Sequence, residues 1–328
     1  GLGDVYKRQV LGIVGGVATT LGLGVPLVSA MIATLFEVED SMLIKISVLA
    51  FWTALFGTSV YKGLKAGIKI LADINVFLAI FAILFVLVAG PGVFILDLTV
   101  NSFGLMFSNF MSTATWTDPV REGDFPEAWT GFYWAWWFAY TGMVGLFFGR
   151  ISRGRTIRQL VLGVITWGCI GTWLFLAVMG GYSLFLEKTG ALAVTEILNS
   201  QGMSFLNALV IKSLPFGKIT LAIFTVLSII FYATTIDSSA YVISSICAKD
   251  LENTQEPRRW NRITWAVLLA LITAGLLQAD SLQTTLSMTV VSSLPMIPIL
   301  ILLCISIRKW LEEDFANLNL NKEITKTK

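Results

Sequence analysis

Eight stretches of this chain are apolar over the length of a bilayer crossing, and that constraint leaves few folds open. A hydrocarbon core of about 30 Å takes roughly 20 helical residues. The stretches lie near Val10–Phe36, Leu43–Tyr61, Ile74–Leu96, Phe125–Gly149, Ile157–Leu186, Ile219–Cys247, Ile263–Leu277 and Leu286–Ile307. The seventh is short and needs its flanking residues to span. Two more segments, Leu98–Thr115 and Ala191–Leu214, are amphipathic and interrupted by Gly, Asn and Ser, as helices lying along a membrane surface are. Composition agrees: 55% of the 328 residues are hydrophobic, 13% are charged, and the mean hydropathy is +0.77. Charged residues are too few to cover that much apolar surface in water. The expected class is an all-α polytopic membrane protein.

Charge placement predicts orientation. Lys62, Lys65 and Lys69 follow the second stretch, Arg150, Arg153, Arg155 and Arg158 the fourth, and Lys249, Arg258, Arg259 and Arg262 the sixth. The alternate connections carry Glu37, Glu39, Asp40, Asp118, Glu122, Asp124 and Glu127. Basic loops stay inside, so these loops and the tail from Arg308 are expected in the cytoplasm. Net charge is +2 and sits in short loops, which gives no patch for nucleic acid. No histidine is present, and Cys169, Cys247 and Cys304 lie far apart in apolar segments. Metal sites and disulfides need other spacings, so no cofactor is expected and the cysteines read as buried bystanders. Gly15, Gly16, Gly22 and Gly24 lack the following Lys of a phosphate loop and point to close helix packing. Residues 1–9 are polar and open straight into a span, unlike a signal peptide. They are expected to be extraneous, and residues before the first span to be missing.

The fourth stretch carries Trp129-Thr-Gly-Phe-Tyr-Trp-Ala-Trp-Trp-Phe-Ala-Tyr140. Trp129, Tyr133, Trp136, Trp137 and Tyr140 recur at three- and four-residue steps, which places them on one helix face. One reading is an interfacial aromatic belt. Depth favours a ligand site for part of the set, because Tyr140 is ten residues before Arg150, about 15 Å along a helix and near the midplane. Electron-rich rings there suit a quaternary ammonium, which has no N–H to donate but is drawn to ring faces by about 2 kcal/mol or more when desolvated.

These residues, with Gly149-Arg-Ile-Ser-Arg-Gly-Arg-Thr-Ile-Arg158, resemble the signature of the betaine/choline/carnitine transporter family. The resemblance runs from Val10 to about Trp310. It implies eight transmembrane helices of a twelve-helix transporter built as two inverted five-helix repeats. Residues 10–96 would be the last three helices of the first repeat, 97–124 a surface helix and periplasmic loop, 125–310 the second repeat and 311–328 a cytoplasmic tail. It also implies a homotrimer in the bacterial inner membrane. Trp136, Trp137 and Tyr140 would line a central box, Trp129 an outer site, with Tyr133 beside them and Phe132 and Trp134 adjacent. Tyr140 and the Asp118-Pro119 and Phe125-Pro126 pairs resemble the carnitine branch, although betaine and choline stay open.

The sixth stretch holds Phe231-Tyr-Ala-Thr-Thr-Ile-Asp237-Ser-Ser. Asp237 lies deep in the membrane, where an acid is either functional or hydrogen-bonded to nearby helix backbone, Ser238 or Ser239. Thr234 and Thr235 can bond back to the carbonyl one turn earlier. By resemblance they would instead hold Na⁺ as the coupling ion, with the Phe231 carbonyl, as in sodium-coupled members. Sodium-independent exchangers place Arg where this chain has Asn75 and Met where it has Val144. The expected function is therefore sodium-coupled symport, with exchange the alternative. A membrane enzyme acting on quaternary amines would need a base, nucleophile or metal set absent here.

Overall fold

The computed structural model describes residues 2–62, 64–120, 125–248, 257–279 and 282–326. Among them the only regular structure is helix: α1 (Leu2–Phe36), α2 (Met42–Lys62), α3 (Leu64–Ala89), α4 (Gly92–Ser108), α5 (Phe110–Thr115), α6 (Phe125–Ile151), α7 (Ile157–Thr189), α8 (Val194–Lys212), α9 (Gly217–Ile246), α10 (Arg259–Gln278), α11 (Leu282–Ser293) and α12 (Met296–Lys326). By length and composition, five described helices can cross a membrane: α1, α3, α7, α9 and α10. The bent pair α11–α12 makes a sixth. α6 is long enough, at 27 residues, but is not among these apolar helices; it carries Trp129, Tyr133, Trp134, Trp136, Trp137 and Tyr140. α2 offers the shorter apolar stretch Met42–Leu55.

Three sequence expectations need correction. The third stretch ends at Ala89, not Leu96, because Gly90-Pro91 breaks it. The Gly90 N–H still reaches the Val86 carbonyl at 2.9 Å, but Pro91 has no N–H and fixes its φ, so α4 starts anew. The cysteines are not buried: Cys169 is half-buried and Cys247 and Cys304 are exposed. The segment 191–214 is helical with an interruption. Its helix α8 kinks at Gly202, whose φ of 82° and ψ of 171° favour glycine, and then buries Leu206, Ala208, Val210 and Ile211 against α1, α7 and α9. The last stretch is two helices bent by 41° rather than one continuous helix, with the break at Leu294-Pro295.

α1 is the axis of the bundle. Within Gln9–Phe36, 72% of its apolar window is buried, against 11% for α3 and 6% for α7. It touches α2, α6, α8, α9, α10, α11 and α12. Its glycines permit this, as expected from close packing. A Cβ on Gly15 would stand 2.0 Å from Ser292 Oγ, on Gly16 2.9 Å from the Tyr140 ring, on Gly22 3.0 Å from Thr285 and on Gly24 2.4 Å from the Tyr232 ring. Small residues let backbones approach where lipid supplies no hydrophobic drive between helices. Hydroxyls complete the α1–α11 seam: Thr289 donates to Thr19, and Thr19 donates to the carbonyls of Gly15 at 2.9 Å and Thr285 at 3.2 Å.

Beyond α1, Glu37 meets Lys218 at 2.9 Å and Lys212 at 4.0 Å, tying the end of α1 to α8 and α9. The Lys218 hydrogen bond and charge, then the Lys212 charge, hold the Glu37 carboxyl below its usual range. On the far side of the bundle, α4 packs on α3 and α7 and buries Ile95.

Because α1 has no room at Gly24, Gly24→Leu is expected to cost about 1–3 kcal/mol by overpacking. It should lower the thermal midpoint of the detergent-solubilised protein. Gly163→Ala in α7, where a Cβ meets nothing within 4 Å, should leave that midpoint unchanged or raise it.

Candidate functional site

α6 packs on α1, α9, α11 and α12 and sets its aromatic residues in a ladder. Trp129 contacts Phe132 at 5.8 Å and Tyr133 at 5.9 Å. Trp136 stacks on Phe132 at 5.2 Å, lies 6.1 Å from Tyr133 and meets Tyr140 edge-on at 6.0 Å. Four of the five sequence-identified residues (Trp129, Tyr133, Trp136 and Tyr140) are thus brought together, with the fully buried Phe132 as a fifth rung. Phe132 was only an adjacent candidate in the sequence. Its stacking partner sits four residues on, the spacing that would have included it.

Trp137 does not join the ladder. One residue is about 100° of helical turn, so Trp137 leaves the face shared by Trp136 and Tyr140. It is 67% exposed and lines a shallow groove with Thr130, Tyr133, Trp134 and Thr141 of α6 and Ala114 of α5. This corrects the expectation of a single face. Tyr133 is common to both surfaces.

Tyr140 is anchored on α1. Its hydroxyl lies 2.6 Å from Thr20 Oγ1. Thr20 already donates its one proton to the Gly16 carbonyl at 3.0 Å, so Tyr140 donates to Thr20. Gly16 leaves the space the ring occupies. Sequence reasoning missed Thr20, and its signal was the glycine four residues earlier. One rung up, the Trp136 Nε1 donor is buried without a partner among the described residues.

On α9, Thr234 and Thr235 both donate to the Phe231 carbonyl, at 2.7 and 3.2 Å. The back-bonding alternative is therefore the arrangement present. It uses each hydroxyl proton and leaves oxygen lone pairs of both threonines free to accept. The structure brings Phe231, Thr234 and Thr235 together as expected. Phe231 is 51% exposed, and among the described residues no cluster of three or more His, Cys, Asp or Glu could hold a metal ion. Asn75 and Val144 are both partly buried.

Asp237 has a partner that the sequence reading did not name. Arg262 Nη2 lies 3.0 Å from its Oδ1, and the two side chains are 1% and 4% exposed. Arg262 is accordingly not a loop charge: it sits in the first turns of α10, with its guanidinium 5.5 Å from the Tyr241 ring. The missed signal was one acid and one base in consecutive apolar segments. Lys249, Glu122 and Asp124 lie outside the described residues.

A helical bundle with several membrane-length apolar helices, a polar seam and a buried charge pair defines a polytopic membrane protein. The chain belongs to the betaine/carnitine/choline family of transporters, whose family model matches residues 5–316. It is 32% identical over 287 residues to a carnitine transporter of Acinetobacter baumannii, covering 87% of this chain and 52% of that protein. It is 32% identical over 323 residues to a high-affinity choline transport protein of Escherichia coli, covering 98% and 47%. It is 30% identical over 308 residues to a glycine betaine transporter of Bacillus subtilis, covering 93% and 59%. The chain spans about half the length of the curated relatives it matches.

The Tyr140–Thr20 bond makes a stability prediction. Tyr140→Phe or Thr20→Val alone is expected to cost about 1–3 kcal/mol, while the double variant should cost less than the sum, because no half-pair remains. Thermal unfolding of the four purified proteins in detergent measures the cycle, and strict additivity would show the bond contributes nothing.

Proposed function

We propose that the protein carries out secondary active transport of a quaternary-ammonium solute, of the carnitine, glycine betaine or choline class, by sodium-coupled symport with alternating access. The observation that carries this reading is the aromatic ladder on α6 in a chain of this family. Ring faces at mid-membrane attract a cation that cannot donate hydrogen bonds, by about 2 kcal/mol or more per desolvated contact. Trp136 and Tyr140 on the ladder are assigned to the cation, together with Trp137 on the adjacent face of α6, where it lines the groove with Tyr133; Trp129 and Tyr133 are assigned to its approach. The Phe231 carbonyl and the Thr234 and Thr235 oxygens are assigned to Na⁺, since oxygen-only coordination suits a hard cation.

In this reading the chain crosses the membrane eight times. The crossings are α1, α2, α3, α6, α7, α9, α10 and the bent α11–α12 pair. They supply the last three helices of one five-helix repeat and all of a second, inverted one. The greater length of the relatives leaves room for the rest of such a transporter. The basic loops and the C-terminal tail face the cytoplasm of a bacterial inner membrane, and α4 lies at the surface where copies meet in a trimer. Sodium-independent exchange of the same solutes is the second reading. The phenol at Tyr140 favours it, as in the carnitine branch, while Asn75 in place of Arg favours symport.

Uptake of radiolabelled carnitine and glycine betaine into vesicles, with the protein expressed from its complete reading frame, decides between them. Accumulation is expected only with an inward sodium gradient. Sodium-independent uptake driven by preloaded solute would establish exchange instead. Under symport, Trp137→Leu and Trp136→Leu should each abolish uptake while leaving the amount of inserted protein intact. Thr234→Ala with Thr235→Ala should raise the sodium half-saturation by more than tenfold, about 1.4 kcal/mol or more of lost ion binding.

A further inference from the structure

The Asp237–Arg262 pair has no role in the transport scheme above, and its stability value does not account for it. Taking two charges out of water costs about as much as their attraction returns, and apolar replacements of buried pairs are often as stable. Position offers a reason. Asp237 follows Thr234 and Thr235 by three and two residues, about 3–5 Å of rise along α9. Around α9, Thr234 lies about 60° from Asp237 and Thr235 about 200°, so the permanent positive charge of Arg262, 3.0 Å from that carboxylate, is on the order of 10 Å from the Thr234 hydroxyl and farther from that of Thr235. Arginine cannot lose its proton to escape the conflict. The compensation comes through Nη2, since Arg262 Nε has no partner among the described residues, and the Tyr241 ring adds a negative face at 5.5 Å.

We infer that Asp237 is a charge-balancing residue for the coupling cation: it neutralises Arg262 beside the α9 hydroxyls and so sets sodium affinity without touching the ion. Arg262 in turn is the anchor that fixes the carboxylate against α10. The pair holds the helix that carries the proposed ion oxygens to its neighbour, with the Asn261 amide adding a bond to the Ser244 carbonyl at 3.1 Å. This inference rests on the sodium-symport reading.

The test is the sodium half-saturation of solute uptake in proteoliposomes, with the protein expressed from its complete reading frame and potassium holding ionic strength constant. Asp237→Asn leaves the Arg262 charge uncompensated, and Coulomb repulsion over about 10 Å at an effective dielectric of about 20 raises the half-saturation roughly tenfold or more. The neutral pair Asp237→Asn with Arg262→Gln returns it to within about threefold of the parent, because no net charge remains. A purely structural pair would lower the yield of both variants and leave the sodium curve of each unchanged. An unchanged curve in Asp237→Asn overturns the inference, as does a double variant shifted as far as the single one. Where Asp237→Asn fails to assemble, Arg262→Gln replaces it: the Asp237 charge is then left without its counter-charge, the sodium half-saturation is expected to fall severalfold, and an unchanged curve refutes charge balancing. A parent protein whose uptake ignores sodium brings down the symport reading first and this inference with it.

Discussion

The structure depends on how closely α1 can be approached. Every helix of the central cluster leans on it, and at Gly12, Gly15, Gly16, Gly22 and Gly24 a neighbouring atom occupies the space a side chain would fill. In lipid, apolar side chains gain little by leaving one apolar surface for another, so dispersion contacts and interhelical hydrogen bonds must hold the bundle. Both grow when backbones come close. Glycine at these positions is thus the condition for the α1–α11 hydroxyl seam, for the Tyr140 ring against Gly16 and for the Tyr232 ring against Gly24.

The same economy governs the polar groups. Thr225, Thr234, Thr235, Ser239, Thr273 and others return their protons to carbonyls three or four residues earlier. That local solution lets a hydroxyl sit in an apolar helix at small cost. The Asp237 carboxylate also reaches across to a second helix, where it meets Arg262. Tyr140 likewise takes its acceptor from α1. Long-range polar contacts are added to the local ones where two helices meet closely, and they tie α6 to α1 and α9 to α10.

Much of the fold was legible because bilayer thickness turns into residue count. The starts and ends of α7, α9 and α10 fall within a few residues of the apolar stretches at 157–186, 219–247 and 263–277. Errors came where a helix stops for a backbone reason inside an apolar run. Gly90-Pro91 divides α3 from α4, and Leu294-Pro295 divides α11 from α12, although hydropathy is continuous across both. In α8 the polar first half gave no sign that the second half is buried on α1. α6 shows the converse: it packs on α1, α9, α11 and α12, yet it is not among the helices apolar enough by composition to be counted as spans.

The sequence by itself determined the all-helical membrane class, the packing role of the α1 glycines and the aromatic set of α6, because each is a local property of spacing and side-chain chemistry. Helix geometry already parts Trp137 from Trp136 and pairs Phe132 with Trp136. Tertiary structure decided which of those two faces is buried, Phe132 being 1% and Trp137 67% exposed. It also decided that Tyr140 rests on Thr20 and that Arg262, read as a loop charge, is buried against Asp237. Those pairings join residues 120 and 25 positions apart, and no local periodicity encodes which faces of two helices will meet.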